Sequence, residues 1–181
     1  MEKLENLYLI GFMGAGKSTI APKLAERLGM DWVDVDERVE ADAGFSIPEI
    51  FDYYGEEKFR NLEREAIKSV SEREPEVVAV GGGAPMDDEN WERMKDTGLI
   101  IYLQIGPQEI YNRIGTDKSR PLLAGLDSGE RLEKIRELLK QRHPRYSEAD
   151  MHVKGNGTDP QKIAEDIAGK VTERIADNPD T

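Results

Sequence analysis

The chain contains no cysteine in its 181 residues. Disulfides, thiolate metal sites and cysteine nucleophiles are therefore excluded. It has only two histidines, His143 and His152, and nothing in their spacing makes them a metal pair. Aromatic residues make up 7% of the chain, and no apolar run approaches the roughly 20 residues of a membrane span. Basic residues are in short supply, 25 against 37 acidic ones, for a net charge of −12. That balance argues against a nucleic-acid partner, whose binding face needs clustered Lys and Arg. Residues 1–11 lack the basic, apolar and small-residue layout of a secretory signal. The expectation is a cytoplasmic protein with no membrane or nucleic-acid partner. Any anionic ligand would have to be met by cations gathered locally.

What is present suits one globular domain, with 38% hydrophobic and 34% charged residues. Apolar runs at 6–11, 32–36, 76–80, 98–105 and 151–155 read as strands. Helical spacing fills 17–28, the segment from 37 to a stop at Gly44, 56–73, 89–95, 107–114, 130–142 and 160–176. Ser46-Ile47-Pro48-Glu49 has capping-box spacing and starts a further short helix that Gly55 interrupts. Strands alternate with helices throughout, and the strands are mostly apolar. This is the pattern of a three-layer α/β/α domain with a parallel sheet covered on both faces. Pro22 falls inside the first helix, where it costs about 3 kcal/mol and is expected to kink the helix. Residues 116–129 are rich in turn formers and have no period. So long a loop in a compact domain is a functional lid or a disordered stretch. Trp32 and Trp91 are expected to be structural. Tyr53 and Phe59 either border a substrate or pack in the core.

The most specific stretch is GFMGAGKST, Gly11 to Thr19, between the first strand and the first helix. It fits G-x-x-x-x-G-K-[ST], with Gly11, Gly16, Lys17 and Ser18 at the fixed positions. Bare backbone at Gly14, Ala15 and Gly16 lets successive N–H groups face one anion, and the helix start adds its positive end. Lys17 can reach terminal phosphates, and the Ser18 hydroxyl can sit on Mg²⁺. A chance match in a chain of this length is below about one in a hundred at average residue usage. Asp34 and Asp36 lie two apart at the end of the second strand. Side chains two apart on a strand share a face, so both are expected to point into the crevice at the strands' carboxyl ends.

From GFMGAGKST the chain continues through VDVD, SIPEIF, GEEKFRNLE, VGGGA, RPLL and RHPRY, in that order. With these pieces it resembles the shikimate kinase family over nearly its whole length. The resemblance implies a small P-loop kinase of the nucleoside-monophosphate-kinase type, with a five-stranded parallel sheet, a substrate-binding segment at about 34–62 and a mobile lid at about 115–128. It implies a single kinase domain over 1–177 and a fold that can work as a monomer; the tail at 178–181 is expected to be frayed. It also implies transfer of the γ-phosphoryl group of ATP to the 3-hydroxyl of shikimate, with Mg²⁺.

Residue by residue, the resemblance puts Lys17 and the amides of Gly14, Ala15, Gly16, Ser18 and Thr19 on the phosphates. It puts Ser18 and Asp34 at Mg²⁺, and Asp36 at the reacting hydroxyl. Arg60 and Arg142 grip the substrate carboxylate, and Gly82 offers backbone to the same substrate. Arg120, in the lid, reaches the transferring phosphoryl group, and Arg113 packs on adenine. A carboxylate substrate does invite an arginine fork, and phosphoryl transfer leaves a protein mainly positioning and charge neutralisation.

Two positions depart from the family pattern. Ala21-Pro22 stands where a Gly and a basic residue are usual. Thr158-Asp159 precedes Pro160 where a basic residue is common, which bears on adenine contacts near 156–160. Two other readings share the P-loop. One is a kinase for another small polyol acid such as gluconate. The other is a nucleotide-dependent binding module without group transfer.

Overall fold

Every residue of strand β1, Asn6–Ile10, is buried, because the strand is covered on both faces. Leu7 and Leu9 face one hydrophobic cluster, while Tyr8 and Ile10 face another. The computed structural model describes residues 5–114, 117 and 121–177. Within them the order is β1, α1 (Lys17–Leu28), β2 (Asp31–Asp34), α2 (Val35–Ala43), α3 (Ile47–Ser71), β3 (Glu76–Ala79) and α4 (Asp88–Thr97). Then follow β4 (Gly98–Gln104), α5 (Pro107–Ile114), α6 (Ser128–Tyr146), β5 (Met151–Lys154) and α7 (Pro160–Asp177). The five strands form one parallel sheet in the order β2-β3-β1-β4-β5. In register, Tyr8 stands beside Val78 on β3 and Ile100 on β4. Helices α1, α5, α6 and α7 contribute to one core cluster, and α2, α3 and α4 to the other. The expected three-layer α/β/α architecture is the one observed. The carboxyl ends of β1, β2 and β3 open on the side where such sheets bind ligands.

Several local expectations need correction. The second strand stops at Asp34, not Asp36. The Asp34 carboxylate accepts the N–H of Asp36 at 2.9 Å and of Glu37 at 3.4 Å, which caps α2 and turns the chain into a helix. Asp36 therefore sits in the first turn of α2 rather than on a strand face. The last long helix before β5 does not end before Pro144 but runs on to Tyr146. Pro144 forfeits one helical hydrogen bond. Burial of Tyr146 and a 2.5 Å bond from its hydroxyl to the Gly82 carbonyl hold the final turn in place.

Helix α1 carries Pro22 and still spans 17–28 as one helix. The capping box at Ser46 forms as expected: Ser46 N–H donates to Glu49 Oε2 at 2.8 Å, and Glu49 N–H donates to Ser46 Oγ at 3.4 Å. Gly55, at φ 81° and ψ 171°, breaks α3 into a short arm and a long helix, a conformation open to glycine alone. Trp91 is buried as expected, but Trp32 is 42% exposed on the edge strand, and Tyr53 is 67% exposed and belongs to no core. Of the expected lid, 117 and 121–128 are described, with a 3-10 turn at Pro121–Leu123. Arg120 and the tail at 178–181 lie outside the described residues. No helix among the described residues is long and apolar enough to cross a membrane.

Candidate active site

The loop after β1 wraps a cleft of about 540 Å³. Gly16 caps α1 with φ 98°, a left-handed conformation that strains any side-chain-bearing residue. The buried Lys17 folds back over the loop, its Nζ donating to the carbonyls of Gly11 at 2.8 Å and Phe12 at 2.9 Å. Gly14, Ala15, Ser18 and Thr19 line the same cleft. The Ser18 hydroxyl donates to Asp34 Oδ2. A hydroxyl and a carboxylate at the mouth of a phosphate cradle are hard oxygen donors of the kind Mg²⁺ takes, in the small number that ion needs from protein when phosphates supply the rest.

Arg113, from α5, forms the far wall. Its Nη1 donates to the carbonyls of Gly14 at 3.2 Å and Ala15 at 3.3 Å, and its Nη2 to that of Gly155 at 3.4 Å. It thereby ties the phosphate loop to the turn that carries Thr158 and Pro160, which line the cleft despite lacking the usual basic residue.

A second cleft, of about 350 Å³, adjoins the first. Asp36, Gly81, Gly82 and Met13 line both. The rest of its wall includes Phe59, Arg60, Glu63 and Arg142. Gly81-Gly82-Gly83, directly after β3 and Val80, makes room for these charges. A Cβ on Gly81 would stand 2.8 Å from both Asp36 Oδ1 and Glu63 Oε1. One on Gly82 would stand 3.2 Å from Arg142 Nη1, and one on Gly83 2.7 Å from Arg60 Nη1. Each glycine thus seats a different charged group.

Arg142 is buried, lies over the Phe12 ring at 5.2 Å, and its Nη1 has no hydrogen-bond partner among the described residues. An unsatisfied buried guanidinium N–H is costly and suits an incoming anion. Arg60 is ordered on α3 by Glu63 Oε2 at 2.9 Å and Glu56 Oε1 at 3.0 Å.

Glu63 itself is 1% exposed. Burial pushes its carboxyl up to about 7; Arg60 opposes the rise, and the nearby negative charges of Asp36 and Asp87 add to it. Tyr146 is also pushed up, to about 12, chiefly by burial.

All the expected site residues that are described converge on these two clefts: the phosphate-loop residues, Asp34 and Arg113 on one, Arg60 and Arg142 on the other, and Asp36 and Gly82 between them. Glu63 and Tyr146 close the motifs GEEKFRNLE and RHPRY, but sequence reasoning gave neither a role. The signal for Glu63 was an acid three residues after Arg60, amid the apolar Phe59, Leu62, Ala66 and Ile67 of an inward helix face. Nothing local marked the role of Tyr146, whose hydrogen bond spans 64 positions.

A phosphate loop after the central strand, joined through one carboxylate to a small arginine-rich cleft, defines a P-loop small-molecule kinase. A family model for shikimate kinase matches residues 13–174. Shikimate kinase from Thermodesulfovibrio yellowstonii is 40% identical over 173 residues, covering 96% of this chain and 98% of its own. The solved structure of shikimate kinase from Acinetobacter baumannii, in complex with shikimate, superimposes with a TM-score of 0.85 at 38% identity, over 99% of this chain and 97% of that one. A gluconokinase structure from Sinorhizobium meliloti shares the fold alone, at a TM-score of 0.62 and 17% identity, covering 98% of this chain and 97% of that one. The chain belongs to the shikimate kinase family.

Proposed function

We propose that this protein transfers the γ-phosphoryl group of ATP to the 3-hydroxyl of shikimate, with Asp36 at the junction of the two clefts as the residue that holds that hydroxyl. The observation that carries the reading is this junction: one carboxylate lines both the phosphate cleft and a cleft whose buried Arg142 has an unsatisfied N–H. A substrate carboxylate on Arg142 and Arg60 orients the ring so that one hydroxyl faces the phosphate side. Gly82 lets that ring approach backbone, and the Tyr146 hydroxyl holds the Gly82 carbonyl in place. Glu63 positions Arg60.

In the transfer, the substrate oxygen forms a bond to γ-phosphorus as the bond from that phosphorus to the ADP oxygen breaks. The hydroxyl proton passes to Asp36. Lys17 and the amides from Gly14 to Thr19 offset the charge on the phosphates, where phosphoryl-transfer catalysis largely resides. Ser18 and Asp34 would hold Mg²⁺, which when bound neutralises phosphate charge. The resemblance also assigns Arg120 to the transferring group, closure to the 115–128 lid, and Arg113 to the adenine face. The reading also takes the protein as a monomer working in the cytoplasm, as its sequence leads one to expect.

The test is ADP release with Mg·ATP in the presence of shikimate, gluconate or quinate. Stimulation by shikimate alone is expected. Equal stimulation by gluconate would overturn the substrate assignment and leave the phosphate loop standing.

A further inference from the structure

A third cleft, of about 490 Å³, lies between the carboxyl ends of β4 and β5 and the second half of α6. It shares no lining residue with the two clefts above. It is lined by Lys140 and His143 from α6 and Lys154 from β5, together with Gln104 and Asn156. Among the described residues no Asp or Glu lines it, although acids outnumber bases 37 to 25 in the chain. Two other lysines are paired, Lys134 with Glu137 at 3.0 Å and Lys170 with Asp166 at 2.7 Å. Lys140 and Lys154 have no ion pair among the described residues.

The two lysines come from different elements, so it is the fold that brings them together. His143 lies one helical turn from Lys140, on the same face of α6. An anion held there would meet cations from both elements at once. The floor is apolar: Ile105, Pro107 and the partly buried Leu139. A cationic rim over an apolar floor fits a ligand with one charged end and a hydrophobic body.

We infer that this cleft is a second anion site. It takes a small organic anion, a carboxylate or phosphate monoester on an apolar ring, with its charge at Lys140 and Lys154 and its ring on Ile105, Pro107 and Leu139. It is separate from the kinase reaction and does not depend on the substrate assigned to it.

The experiment is a titration of the full chain with phenyl phosphate, followed by amide chemical shifts. Mg²⁺ with a non-hydrolysable ATP analogue, and shikimate, are held in excess to occupy the other two clefts. Saturable shifts at Gln104, Lys140, Lys154 and Asn156 are expected. A Lys140→Gln/Lys154→Gln double variant is expected to bind phenyl phosphate at least about tenfold more weakly, with kcat and both KM values unchanged in the absence of the probe. Phenol, which lacks the charge, should not saturate these shifts, and inorganic phosphate, which lacks the ring, should bind more weakly. Shifts confined to Arg60 and Arg142 would report an open acceptor cleft and, with none at the four named amides, would overturn the second site. So would shifts spread over all exposed lysines, or undiminished binding by the double variant. Inorganic phosphate binding as tightly as phenyl phosphate would overturn the apolar half of the assignment.

Discussion

Asp36 and Glu63 face each other across Gly81, and a Cβ on that glycine would lie 2.8 Å from an oxygen of each. Asp36 belongs to the first turn of α2 and Glu63 to the buried face of α3. They do different work because their partners differ. Glu63 is engaged by Arg60 at 2.9 Å, whereas Asp36 lines both clefts.

Asp36→Asn keeps the shape and removes the proton acceptor. We expect kcat to fall by about 10²–10⁴, roughly 3–5 kcal/mol of barrier. ATP binding, measured by calorimetry, should be retained. Unchanged turnover would take Asp36 out of the chemistry.

Arg142→Ala and Arg60→Ala should each raise the Kd for shikimate by about tenfold or more, since each removes a charge-assisted contact of roughly 1.5–3 kcal/mol. Nucleotide affinity should stay within about twofold. Arg142→Lys should recover little, because an ammonium cannot reproduce the planar fork. Normal shikimate binding by both alanine variants would show that the carboxylate is held elsewhere.

Asp34 caps α2 and accepts from Ser18. Asp34→Ala should therefore have two separable effects. Loss of the cap should cost about 1 kcal/mol of stability, read from denaturant unfolding. The Mg²⁺ concentration for half-maximal activity should rise by about 10–100-fold. A stability loss with an unchanged Mg²⁺ requirement would leave the capping role alone standing.

Glu63 carries a pH dependence. Its folded value, about 7, lies above the ordinary 4.5. A carboxyl raised on folding contributes relative stability that is fully present below about 4.5 and lost as pH rises through about 7. The difference in unfolding free energy between the wild type and Glu63→Gln should fall across that window by roughly 2–4 kcal/mol and level off above it. A constant difference across that window would mean that folding does not raise the Glu63 carboxyl.

By itself the sequence determined the phosphate loop, the alternation of strand and helix, the capping box at Ser46 and the break at Gly55. These are local matters. Three or four residues settle a cap or a glycine conformation, and apolar period settles which face goes inward. The family motifs also named most of the cleft residues in advance.

Tertiary structure decided the rest. WVDVD reads as strand to its end, yet the Asp34 carboxylate caps the next helix and lifts Asp36 off the sheet. Pro144 reads as a helix stop, yet the buried Tyr146 and its bond to Gly82 carry α6 past it. Arg60 is named by its motif, but Glu63 becomes visible as its buried partner only when Gly81 and Gly83 pack against the pair. At Tyr146 and at the glycines the deciding contact joins segments far apart in the chain, and its energy exceeds the local propensity it overrides. At Asp34 the contact is local, two and three residues on, and there the apolar alternation of WVDVD hides a cap.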